Sequence, residues 1–305
     1  MSTHNPSPEI NSSESLNDVS SLRRPQFNFL QPLVLLAPAG IWLLLLLVLP
    51  TIIIIQLSLV PDIRPGDLVN PSGFKNYLRI IDPLYLQVIA RSLFFAVGTT
   101  ITCLILGLPV AYWIAQKIPP KARTLVLLSF VLPFWTSSLL RSYAWITILR
   151  PTGLLNTLLA NFGLPPLDLL NNTWGVLIGM GYNFLPYTVL ILYASFEKLD
   201  KRLLEAAADL GANPISAFWK VTVPQALTGI AASSFLVFIT ALGDFINPEL
   251  LGGASSMTVA RLIYNQFLGA TQNWGFGSAL STTIILLVSI AIALLIKFGE
   301  ATPRR

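Results

Sequence analysis

Three charged side chains sit among apolar residues where charge is rare: Arg141, Asp244 and Glu249. At 1.5 Å per helical residue, Arg141 and Asp244 lie roughly 10–12 Å below the same end of their apolar runs. A charge at that depth in a bilayer is expensive and is usually paired or faces water. Two uses fit. Arg141 and Asp244 can form an ion pair that holds two spans together. Alternatively, Asp244 and Glu249 (the latter nearer the surface) offer carboxylates to a cationic solute while Arg141 fixes the resting geometry. Other chemistry has few groups to work with. The one histidine, His4, lies in a polar stretch, and the one cysteine, Cys103, in an apolar run. The chain contains no HExxH, CxxC, P-loop or Gly-x-Ser-x-Gly, so most metal, thiol and nucleotide chemistries lack their ligands. An enzyme built on membrane-embedded carboxylates or serines is what remains of the catalytic options.

A second set of residues gains its meaning from spacing. Glu205-Ala206-Ala207-Ala208-Asp209-Leu210 is a strong helix former, and Gly211 follows where a helix C′ residue belongs. Asn213-Pro214 restarts the chain, with Asn as a cap and Pro in the favoured first helical position. The spacing predicts a second short helix over 215–221 carrying Phe218 and Trp219 as an exposed aromatic pair, with Pro224 closing the unit before the next apolar run. Two short helices bent at a glycine, with small residues on one and aromatics on the other, can dock into a groove on a partner. The alternative is an interfacial hairpin with no partner.

The elements that must position both sets are membrane helices. Of the 305 residues, 54% are hydrophobic and 11% charged, whereas a soluble domain carries about 25% charged residues. The mean hydropathy is +0.69. The predicted class is an all-α polytopic membrane protein with six transmembrane helices, over 33–60, 84–115, 124–149, 173–196, 230–251 and 276–298. Residues 1–31, rich in Ser, Asn and Pro, read as a disordered cytoplasmic tail, 32–299 as the transmembrane domain and 300–305 as a C-terminal cytoplasmic tail. Arg23-Arg24 does not announce a cleaved signal, because the apolar run after it is too long and no small-residue cleavage site follows. The polar segments 61–83, 150–172 and 252–275 read as loops, with an interfacial helical turn over 74–78. With the N-terminus inside, the inside segments hold twelve Lys and Arg against five outside, namely Arg64, Lys75, Arg79, Arg150 and Arg261. The positive-inside rule then places both termini and the 203–230 loop in the cytoplasm. The net charge of +5 reflects that bias and no nucleic-acid partner. Breakers such as Pro109, Pro133, Pro186 and Gly243 recur in the inner spans, as they do in helices that pack tightly and line a pathway.

Glu205-Ala206-Ala207, Gly211, Phe218, Pro224 and Gly229-Ile230, in this order, resemble the EAA loop of ABC-importer permeases. The stretches LPFWTSSLLRSYAW (132–145) and LGDFINPELLGG (242–253) are similar to the third- and fifth-span signatures of the spermidine/putrescine transporter permease group, as are 262–267 and 273–280. The position before the glycine of that last stretch, often Pro in the group, reads Gly275-Phe276 here, and the N-terminal tail is longer than usual. The likeness covers roughly residues 35–298.

The resemblance implies the ABC-importer permease (MetI-like) fold and a complex in a bacterial inner membrane. Its other members would be a second homologous permease subunit, a cytoplasmic ABC ATPase dimer and an extracytoplasmic substrate-binding protein. In that family the loop carries a coupling helix that sits in a cleft of the ATPase. This assigns coupling to Glu205, Ala206, Ala207, Gly211, Phe218, Trp219 and Pro224. Closure of the ATPases on ATP would flip the pathway from inward- to outward-facing. No cofactor and no nucleotide site are implied on this chain, which alone is not an enzyme. A polyamine is the implied substrate, although permeases for opines, thiamine, ferric ion and sulfate share the fold and the loop. A secondary transporter would also have six kinked spans, but it would usually place coupling acids near the midplane or show repeat symmetry, and no internal repeat is visible.

Overall fold

The computed structural model describes residues 30–68, 73–269 and 272–299. Most of the expected N-terminal tail, with His4, Arg23 and Arg24, and the expected C-terminal tail lie outside the described residues. All regular structure among the described residues is helical: α1 Leu30–Ser58, α2 Lys75–Ile80, α3 Pro83–Lys117, α4 Pro120–Val131, α5 Ser138–Leu149, α6 Leu154–Asn161 and α7 Thr173–Phe196. There follow α8 Lys201–Asp209, α9 Pro214–Ala217, α10 Val223–Gln225, α11 Leu227–Leu242, α12 Ile246–Gly252, α13 Val259–Leu268 and α14 Trp274–Gly299. The chain divides within α1 into two units, 1–53 and 54–305. Of the first, the described part is apolar helix with Pro38 and Pro50 inside it.

Four helices, α1, α3, α7 and α14, are each long and apolar enough to cross a membrane, and two bent helix pairs raise the count to as many as six. The fourth span begins and ends where the sequence places it, at Thr173 and Phe196. The third does not form one helix over 124–149. It runs as α4, passes through a 3-10 turn at Leu132–Trp135 and restarts as α5, with a 93° bend. Pro133 cannot donate to the helical ladder, and Thr136 and Ser137 adopt extended backbone beyond it. The second bent pair is Pro214–Gln225 with α11, at 75°, and the predicted fifth span is itself interrupted further on. It stops at Leu242 and resumes at Ile246, because Gly243 is a poor helix former and Asp244 turns its side chain onto the backbone ahead. The expected loops 150–172 and 252–275 contain α6 and α13, helices of 8 and 10 residues. Both are too short to separate from loop by apolar periodicity alone.

Helices α3, α7 and α11 pack on one another. One cluster in this core gathers Phe95, Val176, Met180, Leu242 and Leu251. A second, further along α3, gathers Ala111, Ile114, Val189, Leu192, Phe196 and Ala226. A third joins α3 to α13 and α14 through Val88, Val259, Phe276 and Leu280. In a bilayer, lipid is as apolar as leucine, so close packing through small residues and interhelical hydrogen bonds hold helices together. At Gly229 a Cβ would collide with the Ser195 hydroxyl of α7, which is why α11 can lie against α7 there.

Candidate functional site

The loop joining α7 to α11 is built by local backbone chemistry. Asp200 caps α8 by accepting from the Arg202 amide at 3.0 Å. The helix closes in a Schellman motif: Ala212 N–H donates to Ala207 O and Gly211 N–H to Ala208 O, each at 2.9 Å. Gly211 takes φ +80°, the left-handed conformation that a Cβ disfavours. The Asn213 side chain then accepts from the Ser216 amide at 2.7 Å, and Pro214 opens α9.

The second helix is longer than predicted. It extends from Pro214 to Gln225 and contains a π turn over Phe218–Thr222. Pro224 lacks an N–H for the Lys220 carbonyl and its ring crowds that carbonyl, so the turn before it widens. Phe218 and Trp219 do not form an exposed pair. Phe218 packs against the second core cluster, its ring 5.1 Å from Tyr112 and edge-on. Tyr112 in turn meets Phe196 at 5.9 Å, and Trp219 stands edge-on to Phe218 at 5.4 Å. An aromatic chain therefore runs from the core to an exposed Trp219. Glu205, Ala206, Gly211 and Pro224 are exposed and Ala207 is half-buried. Leu203, Leu210, Ile215 and Trp219 leave the loop with an open apolar surface.

The intramembrane charges are arranged differently from the expected pair. Asp244 is not bonded to Arg141. Its Oδ1 accepts from the Ile246 amide at 2.9 Å, capping α12, and its Oδ2 accepts from Asn247 Nδ2 at 2.6 Å. Asn247 continues the network, its Oδ1 accepting from Ser142 Oγ of α5 at 2.9 Å and from Asn183 Nδ2 of α7 at 3.1 Å. Ser142, Asn183 and Asn247 are all buried. One carboxylate thus ends a chain of hydrogen bonds that ties both broken spans to the intact fourth. Charge alone does not point to Asn183 or Asn247. Their signal in the sequence is an amide side chain in an apolar run, which needs a partner when buried.

Arg141 lies over the Phe134 ring, 5.8 Å from its centroid, with Nε and Nη1 buried and without a hydrogen-bond partner among the described residues. Glu249 pairs with Arg261 of α13, Nη2 to Oε1 at 2.6 Å. Arg261 also lies 5.3 Å from the centre of the Tyr264 ring, on which Phe245 stacks at 5.1 Å. The sequence places Arg261 in an outside loop and assigns it no partner; α13 brings it to Glu249. Among the described residues no group of three or more His, Cys, Asp or Glu could hold a metal ion.

Residues 27–298 match the model of a family described as binding-protein-dependent transport system inner membrane component. The spermidine/putrescine transport system permease protein PotB of Haemophilus influenzae is 38% identical over 87% of this chain and 92% of its own. That of Escherichia coli is 38% identical over 82% and 91%. Among solved structures, a bacterial ABC transporter involved in the import of the acidic polysaccharide alginate superposes with a TM-score of 0.71 at 18% identity, over 95% of this chain and 100% of that one. The MetNI methionine ABC transporter in inward-facing conformation gives 0.53 at 15%, over 74% and 99%. At those identities the likeness is one of fold, the ABC-importer permease fold.

Proposed function

The chain belongs to the family of binding-protein-dependent transport system inner membrane components, and from that premise we propose that it is one of two permease subunits of an ATP-driven polyamine importer. The observation that carries the substrate class is the 38% identity to a spermidine/putrescine permease across nearly the whole of both chains. In this reading the Lys201–Gln225 unit is cytoplasmic and its apolar, small-residue surface sits in a cleft of an ABC ATPase. Ala206, Ala207 and Gly211 allow close approach, and Glu205 stands exposed beside them. Trp219 meets the ATPase, and Phe218 passes movement to α3 and α7 through Tyr112 and Phe196. Pro224 fixes the widened turn between them.

The pathway runs past the break at Asp244. Asp244 and Glu249 offer negative charge to a cationic solute. Arg141 borders the path, and the acceptor it lacks within the described chain comes from the second permease subunit, since a buried charge left unpaired is strongly destabilising. ATP hydrolysis falls to the ATPase dimer, and substrate arrives on an extracytoplasmic binding protein.

The test is co-expression with an ABC ATPase and a binding protein encoded beside it. The permease and ATPase co-purify, and spermidine-loaded binding protein raises ATP turnover. Stimulation by another solute and not by a polyamine would leave the importer and remove the substrate. Orientation is checked in a Cys103→Ser background. A cysteine at the exposed Leu68 or Phe162 reacts with an impermeant maleimide added from outside, and one at Lys198 does not; the reverse pattern inverts the topology and ends the coupling role.

A further inference from the structure

Helix α12 has two unlike sides. Asn247, Pro248 and Leu251 are buried, the first in the polar network and Leu251 in the core cluster, whereas Glu249 is exposed. α13 repeats the division: Val259, Leu262 and Gln266 are buried, and Tyr264 is exposed. The ion pair joins these open sides. It is partly withdrawn from water, with the Arg261 side chain 26% and the Glu249 side chain 41% exposed. What holds Arg261 there is a carboxylate and the Tyr264 ring, braced by Phe245. Phe245 directly follows Asp244, so the group stands beside the polar break.

A carboxylate together with an aromatic ring suits a cation in general, because the ring's quadrupole attracts positive charge over its face. An alkylammonium needs the same two things as a guanidinium. We propose that Arg261 is a resident counter-ion: in the substrate-free chain its guanidinium fills an ammonium site formed by Glu249 and Tyr264, and an ammonium group of a polyamine takes that site by displacing it. The inference rests on the polyamine reading and adds to it where the amine is received, which residue keeps the site closed, and why a carboxylate at the mouth of the path does not hold stray cations. Arg261 is a positioning residue that competes with substrate; Glu249 and Tyr264 touch it.

The purified complex of permease subunits and ATPases, held with ATP and vanadate, is titrated with labelled spermidine. Arg261→Gln removes the competing cation and tightens binding roughly fivefold, the scale of one partly exposed ion pair. Glu249→Gln removes the acceptor and weakens binding by at least that factor. Arg261→Lys keeps the charge and moves affinity less than Arg261→Gln. The opposite signs are the test. A pair that merely braces α12 against α13 is broken equally by either neutral substitution, so both would shift binding in one direction, and that outcome overturns the proposal. So does an absence of binding to both the wild type and Arg261→Gln. Co-purification of the ATPase with each variant shows that it is assembled. Failure of the wild-type complex to respond to spermidine-loaded binding protein would instead remove the polyamine reading, whatever the variants do.

Discussion

The Lys201–Gln225 loop and the Asp244 break both interrupt helices, yet opposite forces hold them. In the loop the bonds are local, from backbone to backbone or from a cap to an amide two or three residues away, and much of the surface they shape faces outward. In the break a local cap at Asp244 is joined to bonds between side chains on three helices, and Ser142, Asn183 and Asn247, which make them, are buried. A loop of the first kind keeps its shape when a surface residue changes, so a substitution there acts mainly on whatever the surface meets. A break of the second kind loses stability and function together, because a removed partner leaves another polar group orphaned in an apolar medium.

Gly211→Asp sharpens the loop side most. No atom lies within 4 Å of the Cβ position at Gly211, so the side chain fits the isolated chain. Asp tolerates left-handed backbone better than most residues. Uptake should nevertheless fall to background while the permease stays in the membrane, because a charge enters the proposed docking surface; Ala207→Asp should do the same. Normal uptake with normal ATPase retention in both would break the coupling assignment.

The next largest effect belongs to the break. Asp244→Asn combined with Glu249→Gln should still assemble and lose at least tenfold in uptake. In the first of these an amide that keeps its oxygen on the Ile246 N–H turns its NH2 toward the NH2 of Asn247, at about 1–3 kcal/mol for the lost bond. Undiminished transport would take both acids out of the mechanism. Asn247→Leu should lower the thermal midpoint and cut uptake several-fold. It strands Asn183 Nδ2 and Asp244 Oδ2, for roughly 3 kcal/mol in total. An unchanged midpoint would mean that the network is not what joins the three spans.

Phe218→Ala is a smaller change. Loss of its edge contacts with Tyr112 and Trp219 should cost about 1 kcal/mol beyond the area exposed, reduce uptake two- to threefold and speed proteolysis of the loop; an effect on uptake as large as that of Gly211→Asp would make Phe218 a contact residue. Gly211→Ala should do least. It carries only the backbone strain of a Cβ at φ +80°, about 1 kcal/mol, and leaves uptake within twofold. If it matched Gly211→Asp, strain and not docking would explain both.

Much of the loop is legible in the amino-acid sequence, down to the cap at Asn213 and the left-handed glycine, because Gly211, Asn213 and Pro214 act on the two or three residues beside them. The four uninterrupted spans are legible for a similar reason: apolar length fixes a membrane helix, and α7 starts and stops at the predicted residues. The bends are signalled by Pro133 and Gly243, but a breaker does not say whether a helix kinks or stops, since that depends on what can satisfy the freed backbone groups. The side of Phe218 is not legible either, because the ring it meets, Tyr112, comes from the distant helix α3.

Composition and spacing fix the class of molecule, the loop and the presence of charge within apolar runs. What each charge touches is set by the packing of the helices. Arg141 and Asp244 lie at equal depth and carry opposite signs, which makes them natural partners on paper. Depth fixes one coordinate of three, however, and a side chain bonds to whatever its helix is turned toward. Asp244 found an amide three residues away, that amide's residue found a serine 105 residues distant, and Glu249 found the arginine that α13 carries to it.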